Sequence, residues 1–218
     1  MSGITLFLLY SLALLGVMLV AELAYRFFKL PTEWTRKIAH VGSGIVALTY
    51  PDYVDNHLII LALTLSFTLI LYTSKKLGLF ASIFSVGRKS YGELLFVWSS
   101  WLLFWLYQAT GDVIYFYLPF SIVVFADPAA ALVGKSIPVK TYTVFNNIKS
   151  FGGSLAFFLV SFGLSYYFLN ETAWVDNVLF YSFLHAFLLT LTEAVSIKGW
   201  DNLSIPAVSV LFLYFLQG

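Results

Sequence analysis

Long apolar runs separated by short polar segments dominate the chain. Eight such runs stand out, at residues 4–24, 38–50, 57–72, 94–107, 113–133, 151–169, 178–195 and 203–216. A helix needs roughly 17 to 25 residues to cross a bilayer, so the second, fourth and eighth runs must extend into flanking polar residues or line an internal cavity. The pattern predicts an all-α, polytopic bundle of about eight transmembrane spans, forming one domain over residues 1–218.

Composition supports an integral membrane protein. Hydrophobic residues make up 60% of the chain and charged residues 11%, with a mean hydropathy of +0.87, values beyond those of soluble domains. A net charge of +1 and the lack of a basic run argue against a nucleic-acid partner. The chain has no cysteine, which excludes disulfides, thiolate catalysis and cysteine-ligated zinc.

The charges of the connecting segments predict the orientation. If all eight runs cross, one set of alternate loops contains all 12 Lys and Arg residues, whereas the segments 50–56, 108–112 and 170–177 contain none. By the positive-inside rule both termini then lie outside and the basic loops face the cytoplasm. The first positive charge, Arg26, follows the first run, so we expect that run to be a retained span and not a signal peptide. If the protein is bacterial, we expect it to lie in the cytoplasmic membrane.

Asp127 lies in an apolar segment, "FADPAAALVGK". A charged side chain at membrane depth costs about 2.5 to 3.5 kcal/mol even on lenient insertion scales, and such residues usually serve a function. Asp127 can also be the N-cap of a half-helix that begins at Pro128 and ends at Gly134. The two interpretations are compatible, because a broken helix is tolerated where it lines a polar cavity.

Three further motifs place polar side chains at predicted cytoplasmic ends. "EWTRKIAHVGSG" puts Arg36 and His40 four residues apart, on one helical face. In "NNIKSFGGS", Lys149 and Ser150 precede two glycines whose amides can approach a phosphate, although a lysine there can also be only a topological signal. "LTEAVSIKGWDNLSIP" and "RKSYGELLF" supply acidic side chains and an amide suited to a metal or a ribose. We expect His185, in the outer half of its run, to be a hydrogen-bonded packing residue.

Taken in order, "TRKIAH", "SYGELLF", "ADPAAALVGK", "KSFGGS" and "EAVSIKGWDNLSIP" resemble the polyprenol kinase family. This family contains phytol, farnesol and dolichol kinases and the CTP-dependent diacylglycerol kinase. The resemblance implies transfer of the terminal phosphate of a nucleoside triphosphate, commonly CTP, to a lipid alcohol in the membrane, with Mg²⁺ as cofactor. Many relatives have Glu where this chain has Gly152, which puts a carboxylate role at that position in doubt.

The resemblance and the residue chemistry together give the expected site, which faces the cytoplasm. We expect Asp127, His40 and Lys149 to be catalytic, with Asp127 or His40 accepting the proton of the alcohol, and Lys149 offsetting the charge of Asp127. The expected phosphate and nucleotide contacts are Arg36, Lys37, Gly134, Lys149, Ser150, Gly152, Gly153 and Asn202. The expected metal ligands are Asp127, Glu193, Asp201 and Glu93.

Two other functions compete with the kinase. Phosphatidate cytidylyltransferase has a similar "AD…G…KS..G" order, but its usual ending has an H-G-G…D-R pattern where this chain has "GWDNLSIP". A small transporter would need polar residues at several membrane depths, and the outer halves of the runs offer little beyond His185.

Overall fold

The computed structural model describes residues 1–84, 90–137, 139–145 and 147–217. Its longer helices are α1 (Gly3–Phe27), α2 (Thr32–Leu48), α4 (His57–Leu77), α6 (Gly92–Thr110), α7 (Ile114–Ser136), α8 (Phe151–Asn170), α9 (Val178–Val195) and α10 (Asp201–Gln217). Two four-residue helices, α3 (Tyr50–Tyr53) and α5 (Ala81–Phe84), follow α2 and α4. Each apolar run of the sequence coincides with one longer helix, which confirms the helical prediction.

Five of these helices are long and apolar enough to cross a membrane: α1, α4, α7, α8 and α9. Helix α10 is apolar but shorter. The protein is therefore a multi-pass helical membrane protein. Arg88 and Lys89, two of the basic residues used to predict the orientation, lie outside the described residues.

Helix α7 is the central element of the bundle. It packs against α2, α6, α8 and α10, and its apolar side chains from Phe120 to Val124 are buried. The predicted half-helix is wrong, because α7 continues through Pro128 and past Gly134 to Ser136. Proline removes one helical hydrogen bond, but neighbouring helices can compensate such a loss inside a membrane bundle. Asp127 is consequently a mid-helix residue and not an N-cap.

Consecutive long helices run in opposite directions. At one end of the bundle the carboxylate of Glu22, late in α1, accepts a hydrogen bond from the Ser82 amide, and Lys75, late in α4, donates to the Ser90 carbonyl. At the other end Tyr115, early in α7, bonds Gln217, the last residue of α10. The helix ends therefore form two separate groups.

A small β-hairpin connects α7 to α8. Strand β1 (Thr141–Val144) pairs antiparallel with β2 (Asn147–Ser150), and Tyr142 lies opposite Lys149. The all-α prediction did not include it, because strands of four residues carry almost no alternation signal. The hairpin fixes the backbone of Lys149 just before α8 begins.

His185 is fully buried between α8, α9 and α10. Its ring nitrogens hydrogen-bond the hydroxyls of Ser165 (2.8 Å) and Ser209 (3.0 Å). These contacts confirm the prediction of a hydrogen-bonded packing residue, since a buried imidazole without partners would be costly.

Candidate active site

One cavity of about 310 Å³ lies at the end of the bundle where α2, α6, α8 and α10 begin and α7 and α9 end. Its walls include every residue predicted for the site except Gly152. Those residues are Arg36, Lys37, His40, Glu93, Asp127, Gly134, Lys149, Ser150, Gly153, Glu193, Asp201 and Asn202. Motifs spread over more than 160 positions of sequence thus meet at one place, although their individual roles stay predictions.

The direct partner of Asp127 is Lys37. The Lys37 Nζ atom lies 2.6 Å from the Asp127 Oδ2 atom, joining α2 to the central helix. Lys149, which the sequence analysis expected to offset the charge of Asp127, lines the same cavity but pairs directly with Glu193. Both side chains of the Lys37–Asp127 pair are about 15% exposed, and they face the cavity. The cost of placing Asp127 at this depth is thereby offset by a charge-assisted hydrogen bond.

His40 has one nitrogen engaged and one available. Its Nε2 atom lies 3.0 Å from the carbonyl oxygen of Val123 and 4.0 Å from Asp127 Oδ2. A carbonyl can only accept, so Nε2 carries the hydrogen and Nδ1 of the neutral ring keeps its lone pair. The ring also packs on Phe96, with centroids 4.2 Å apart. These contacts fix the orientation of the imidazole at the cavity wall.

Lys149 forms the second buried ion pair. Its Nζ atom donates to both the carboxylate Oε1 and the backbone carbonyl of Glu193, each at 2.5 Å. The other carboxylate oxygen of Glu193, Oε2, is buried and has no hydrogen-bond partner within the described part of the chain. Glu193 is 5% exposed, so snorkelling into water does not account for its position. An oxygen of this kind is suited to a ligand that enters the cavity.

Arg36 and Glu93 also pair. The Arg36 guanidinium lies 3.2 Å from Glu93 and 3.7 Å from Glu33, and Glu33 in turn lies 3.4 Å from Lys135. The sequence analysis did not assign Glu33 or Lys135 to the site. Glu33 is the first residue of "EWTRKIAHVGSG" and Lys135 is the last of "FADPAAALVGK", and only their position at helix ends next to the cavity distinguishes them as site residues.

The glycines after Lys149 allow α7 and α8 to approach closely. A Cβ atom on Gly153 would lie 2.8 Å from the Ala130 carbonyl, and one on Gly152 would lie 2.9 Å from the Ile137 carbonyl. The Gly153 amide donates to the Ser150 hydroxyl, which caps α8. Close packing alone therefore explains these residue types, and the amide of Gly153 already has a partner.

A second close contact positions the loop before α10. Gly199 has φ of +89°, and a Cβ atom there would lie 2.3 Å from the Gly92 nitrogen. The side-chain NH₂ group of Asn202 donates to the Gly92 carbonyl at 3.1 Å, so this group has a structural role. The Oδ1 atom of Asn202 is buried and has no partner among the residues described. The loop thus positions the start of α10, where Asp201 and the amide oxygen of Asn202 line the cavity.

Asp201 precedes the apolar part of α10. Its carboxylate lines the same cavity as that of Asp127. Two carboxylates in one confined site disfavour each other's ionisation, and a bound cation would offset that repulsion. Asp127 and Asp201 are therefore candidate ligands for one ion.

The oxygens of the cavity suit Mg²⁺ only in part. Within the described residues, no group of three or more His, Asp and Glu side chains is arranged to hold a metal ion. Protein-bound Mg²⁺, however, commonly uses only one or two carboxylates and takes its other ligands from phosphates and water. Asp127 and Asp201, with the unpartnered oxygens of Glu193 and Asn202, fit that use. These oxygens therefore suit a metal ion that is also bound by the phosphates of a nucleotide better than a metal ion held by protein side chains alone.

Comparison with known proteins gives one informative relative. No family model matches the chain, and no solved structure matches it. The chain is 33% identical to a protein named phytol kinase from Synechocystis sp. over 205 residues, which cover 91% of this chain and 86% of the relative. The fold and the cavity define a multi-pass membrane protein with a charged site at one end of its bundle. Together with this similarity, the motifs show that the chain belongs to the polyprenol kinase family, which includes phytol kinase.

Proposed function

We propose that the protein is a kinase of isoprenoid alcohols. It transfers the terminal phosphate of a nucleoside triphosphate to an alcohol such as phytol, farnesol or dolichol, and CTP is the preferred donor. The observation that carries this proposal is the meeting of two ion pairs, Lys149–Glu193 and Lys37–Asp127, in one cavity. Their placement provides cations for phosphates and carboxylates for a metal within a chain related to a phytol kinase.

Nucleotide binding in this cavity requires exchange of ion-pair partners. Among the described residues, the lining contains five cationic and five carboxylate side chains: Arg36, Lys37, Lys135, Lys149 and Lys198, and Glu33, Glu93, Asp127, Glu193 and Asp201. Because these ten charges balance one another, they present no strong net electrostatic field to a free triphosphate or to a free cation. Lys149 and Arg36 release their carboxylates when they bind phosphate oxygens. We therefore infer that nucleotide and Mg²⁺ bind much more strongly together than separately.

Asp127 and Asp201 would hold Mg²⁺, with Glu193 and Asn202 supplying the nearest additional oxygens. When bound, Mg²⁺ would supply positive charge that offsets the negative charge developing on the phosphate during the transfer. Lys149 and Arg36 bind the polyphosphate, and Arg36 can do so bidentately. Phosphoryl transfer passes through a loose transition state, so these residues act mainly by positioning the donor and stabilising charge.

The acceptor hydroxyl loses a proton as it attacks the terminal phosphorus. Asp127 and His40 face the cavity where this proton is released. His40 can accept it only at Nδ1, because Nε2 donates to Val123. Asp127 can accept it at the oxygen that Lys37 does not contact. The bond from the terminal phosphorus to the bridging oxygen breaks, leaving a nucleoside diphosphate and a lipid monophosphate.

The membrane arrangement follows the same proposal. We propose eight spans with both termini outside and the cavity open to the cytoplasm. Support comes from the alternating directions of the long helices and from the basic residues around the cavity, including Arg36, Lys37 and Lys149. A cytosolic nucleotide then reaches the site from water. The lipid alcohol stays among the helices, so it need not be extracted into water.

The test uses purified full-length protein in lipid nanodiscs. CTP, ATP, GTP and UTP, each labelled in the terminal phosphate, are offered with phytol, farnesol, dolichol and diacylglycerol in the presence of Mg²⁺. We expect the label to appear in an isoprenoid monophosphate, with the highest yield when CTP is the donor. The Asp127→Asn variant should transfer no phosphate. The control variant Lys76→Gln, which changes an exposed lysine away from the cavity, should transfer phosphate normally. Absence of transfer to every alcohol would overturn the proposal and favour a transporter.

A further inference from the structure

The lining of the cavity includes four buried apolar side chains, which we call the apolar end: Ala39 of α2, Leu71 of α4, Ile83 of α5 and Phe96 of α6. Charged residues line the same cavity, and some of them, such as Arg36 and Glu93, come from α2 and α6 about one turn earlier. The cavity is therefore amphipathic, with apolar and charged side chains in one lining.

His40 adjoins the apolar end. It follows Ala39 in α2, its ring packs on Phe96, and its Nε2 atom is used by Val123. The Nδ1 atom has no hydrogen-bond partner among the described residues, and the side chain lines the cavity. The ring that carries this acceptor nitrogen thus packs on the apolar end, whose four side chains have no polar group to pair with it.

The apolar wall is held in place by hydrogen bonds from outside the cavity. The Ser82 amide donates to Glu22 at 3.0 Å, and the Ser82 carbonyl accepts from Thr35 at 2.8 Å. Ser82 is the neighbour of Ile83 in the short helix α5, so α1 and α2 together fix the backbone that carries Ile83. A wall fixed on both sides can distinguish ligand shapes, because it cannot adapt freely to them.

We propose that this apolar end, formed by Ala39, Leu71, Ile83 and Phe96, binds the hydroxyl-bearing first isoprene unit of the acceptor, and that Nδ1 of His40 accepts the hydrogen bond of its hydroxyl. The inference rests on the proposed kinase function and names the acceptor subsite within it. A hydroxyl needs an acceptor when it leaves water, and the methyl branch near it fills space that a straight chain leaves empty. The subsite therefore selects isoprenoid over straight-chain alcohols.

The variants separate the hydroxyl contact from the apolar wall. His40→Gln keeps an amide donor near the position of Nε2, and so the Val123 contact, but removes the Nδ1 acceptor. Phe96→Leu and Leu71→Ala enlarge the apolar end. The matched control is Leu69→Ala, which makes the same change as Leu71→Ala on the same helix, but at an exposed side chain. Thermal unfolding in detergent identifies any variant that fails to fold, and His40→Gln remains informative if Leu71→Ala is such a variant.

Two readouts are taken for each variant. The first is binding of tritiated farnesol to metal-free protein without nucleotide, and the second is KM for farnesol and for a straight-chain alcohol of equal carbon number at saturating nucleotide. We expect His40→Gln to weaken farnesol binding and raise its KM about tenfold, and the wall variants to reduce the preference for farnesol about tenfold. The KM for the nucleotide should be unchanged in all variants, and the Leu69→Ala protein should match the wild type in both readouts.

The outcomes distinguish this inference from the function on which it rests. Wild-type protein that phosphorylates no alcohol removes the proposed function itself. If the wild-type protein phosphorylates farnesol but the folded variants keep normal farnesol binding and normal preference for farnesol, the acceptor subsite is overturned and the kinase function stands. A rise in nucleotide KM in the same variants, with farnesol binding unchanged, would assign this end of the cavity to the nucleotide instead.

Discussion

Lys37 and Asp127 form an ion pair across the interface of α2 and α7, with Nζ 2.6 Å from Oδ2. The two residues are 90 positions apart in the chain, and they belong to motifs that carry no sign of their pairing. Because each is the main counterion of the other, removing either charge leaves its partner uncompensated in a confined site. Replacement of Asp127 by a neutral residue should therefore destabilise the protein.

Asp127→Asn should abolish turnover and lower the free energy of unfolding by about 2 kcal/mol. The loss is smaller than the ~3 to 5 kcal/mol for a fully buried pair, because both side chains keep some exposure to the cavity. The double variant Asp127→Asn with Lys37→Gln should recover most of that stability and remain inactive. Thermal unfolding in detergent and kinase activity are measured for the single and double variants. A stable, active Asp127→Asn protein would show that Asp127 is neither metal ligand nor base.

Lys149 and Glu193 should have opposite effects on nucleotide binding without metal. Glu193→Gln removes the carboxylate that competes for Lys149, so it should tighten binding in a buffer containing chelator. Lys149→Gln removes a charged donor and should weaken binding about 10- to 100-fold. Equilibrium dialysis with labelled CTP measures both, and Lys76→Gln is the control. A change of CTP affinity in the same direction in both variants would contradict the exchange of ion-pair partners.

Gly199→Ala should destabilise the protein much more than Gly78→Ala. Both glycines have positive φ, +89° and +69°, but a Cβ atom at Gly78 meets nothing within 4 Å, whereas one at Gly199 would lie 2.3 Å from the Gly92 nitrogen. Gly78→Ala isolates the conformational cost of about 1 to 2 kcal/mol. Gly199→Ala adds the steric cost and should lower Tm by about 10 °C or more. Equal Tm values would mean that α6 and the loop before α10 are not in close contact.

Cysteines introduced at Lys140 and Glu171 should react with a membrane-impermeant thiol reagent from opposite sides of the membrane. The chain contains no native cysteine, and both positions are exposed, so the labelling has no background. Lys140 should be labelled from the cytoplasmic side and Glu171 from the outer side. Labelling of both from one side would rule out the eight-span arrangement.

The sequence predicted the long helices well, because an apolar run of the length of a membrane span is a strong signal even without structural context. It also predicted which residues gather around the cavity. That success depends on the alternation of the helices, since motifs at the ends of runs such as His40 and Asn202 must then meet on one side.

The pairings could not be predicted. Nothing local assigns Lys37 to Asp127 or Lys149 to Glu193, because such contacts depend on which helices become neighbours. The continuity of α7 through Pro128 was also missed, since the local proline signal favours a break and only the packing of neighbouring helices overrides it. Apolar residues of the acceptor end, such as Leu71, do not differ in sequence from residues that face lipid.

The most direct test of the kinase assignment is mass spectrometry of the lipid product when two acceptors compete. Purified protein in nanodiscs that contain both phytol and phosphatidic acid is incubated with Mg²⁺ and CTP whose terminal phosphate carries oxygen-18. The account predicts phytyl monophosphate bearing the heavy oxygen, with no nucleoside attached, and its loss in Asp127→Asn. A CDP-lipid formed from phosphatidic acid, with phytol unchanged, would contradict it.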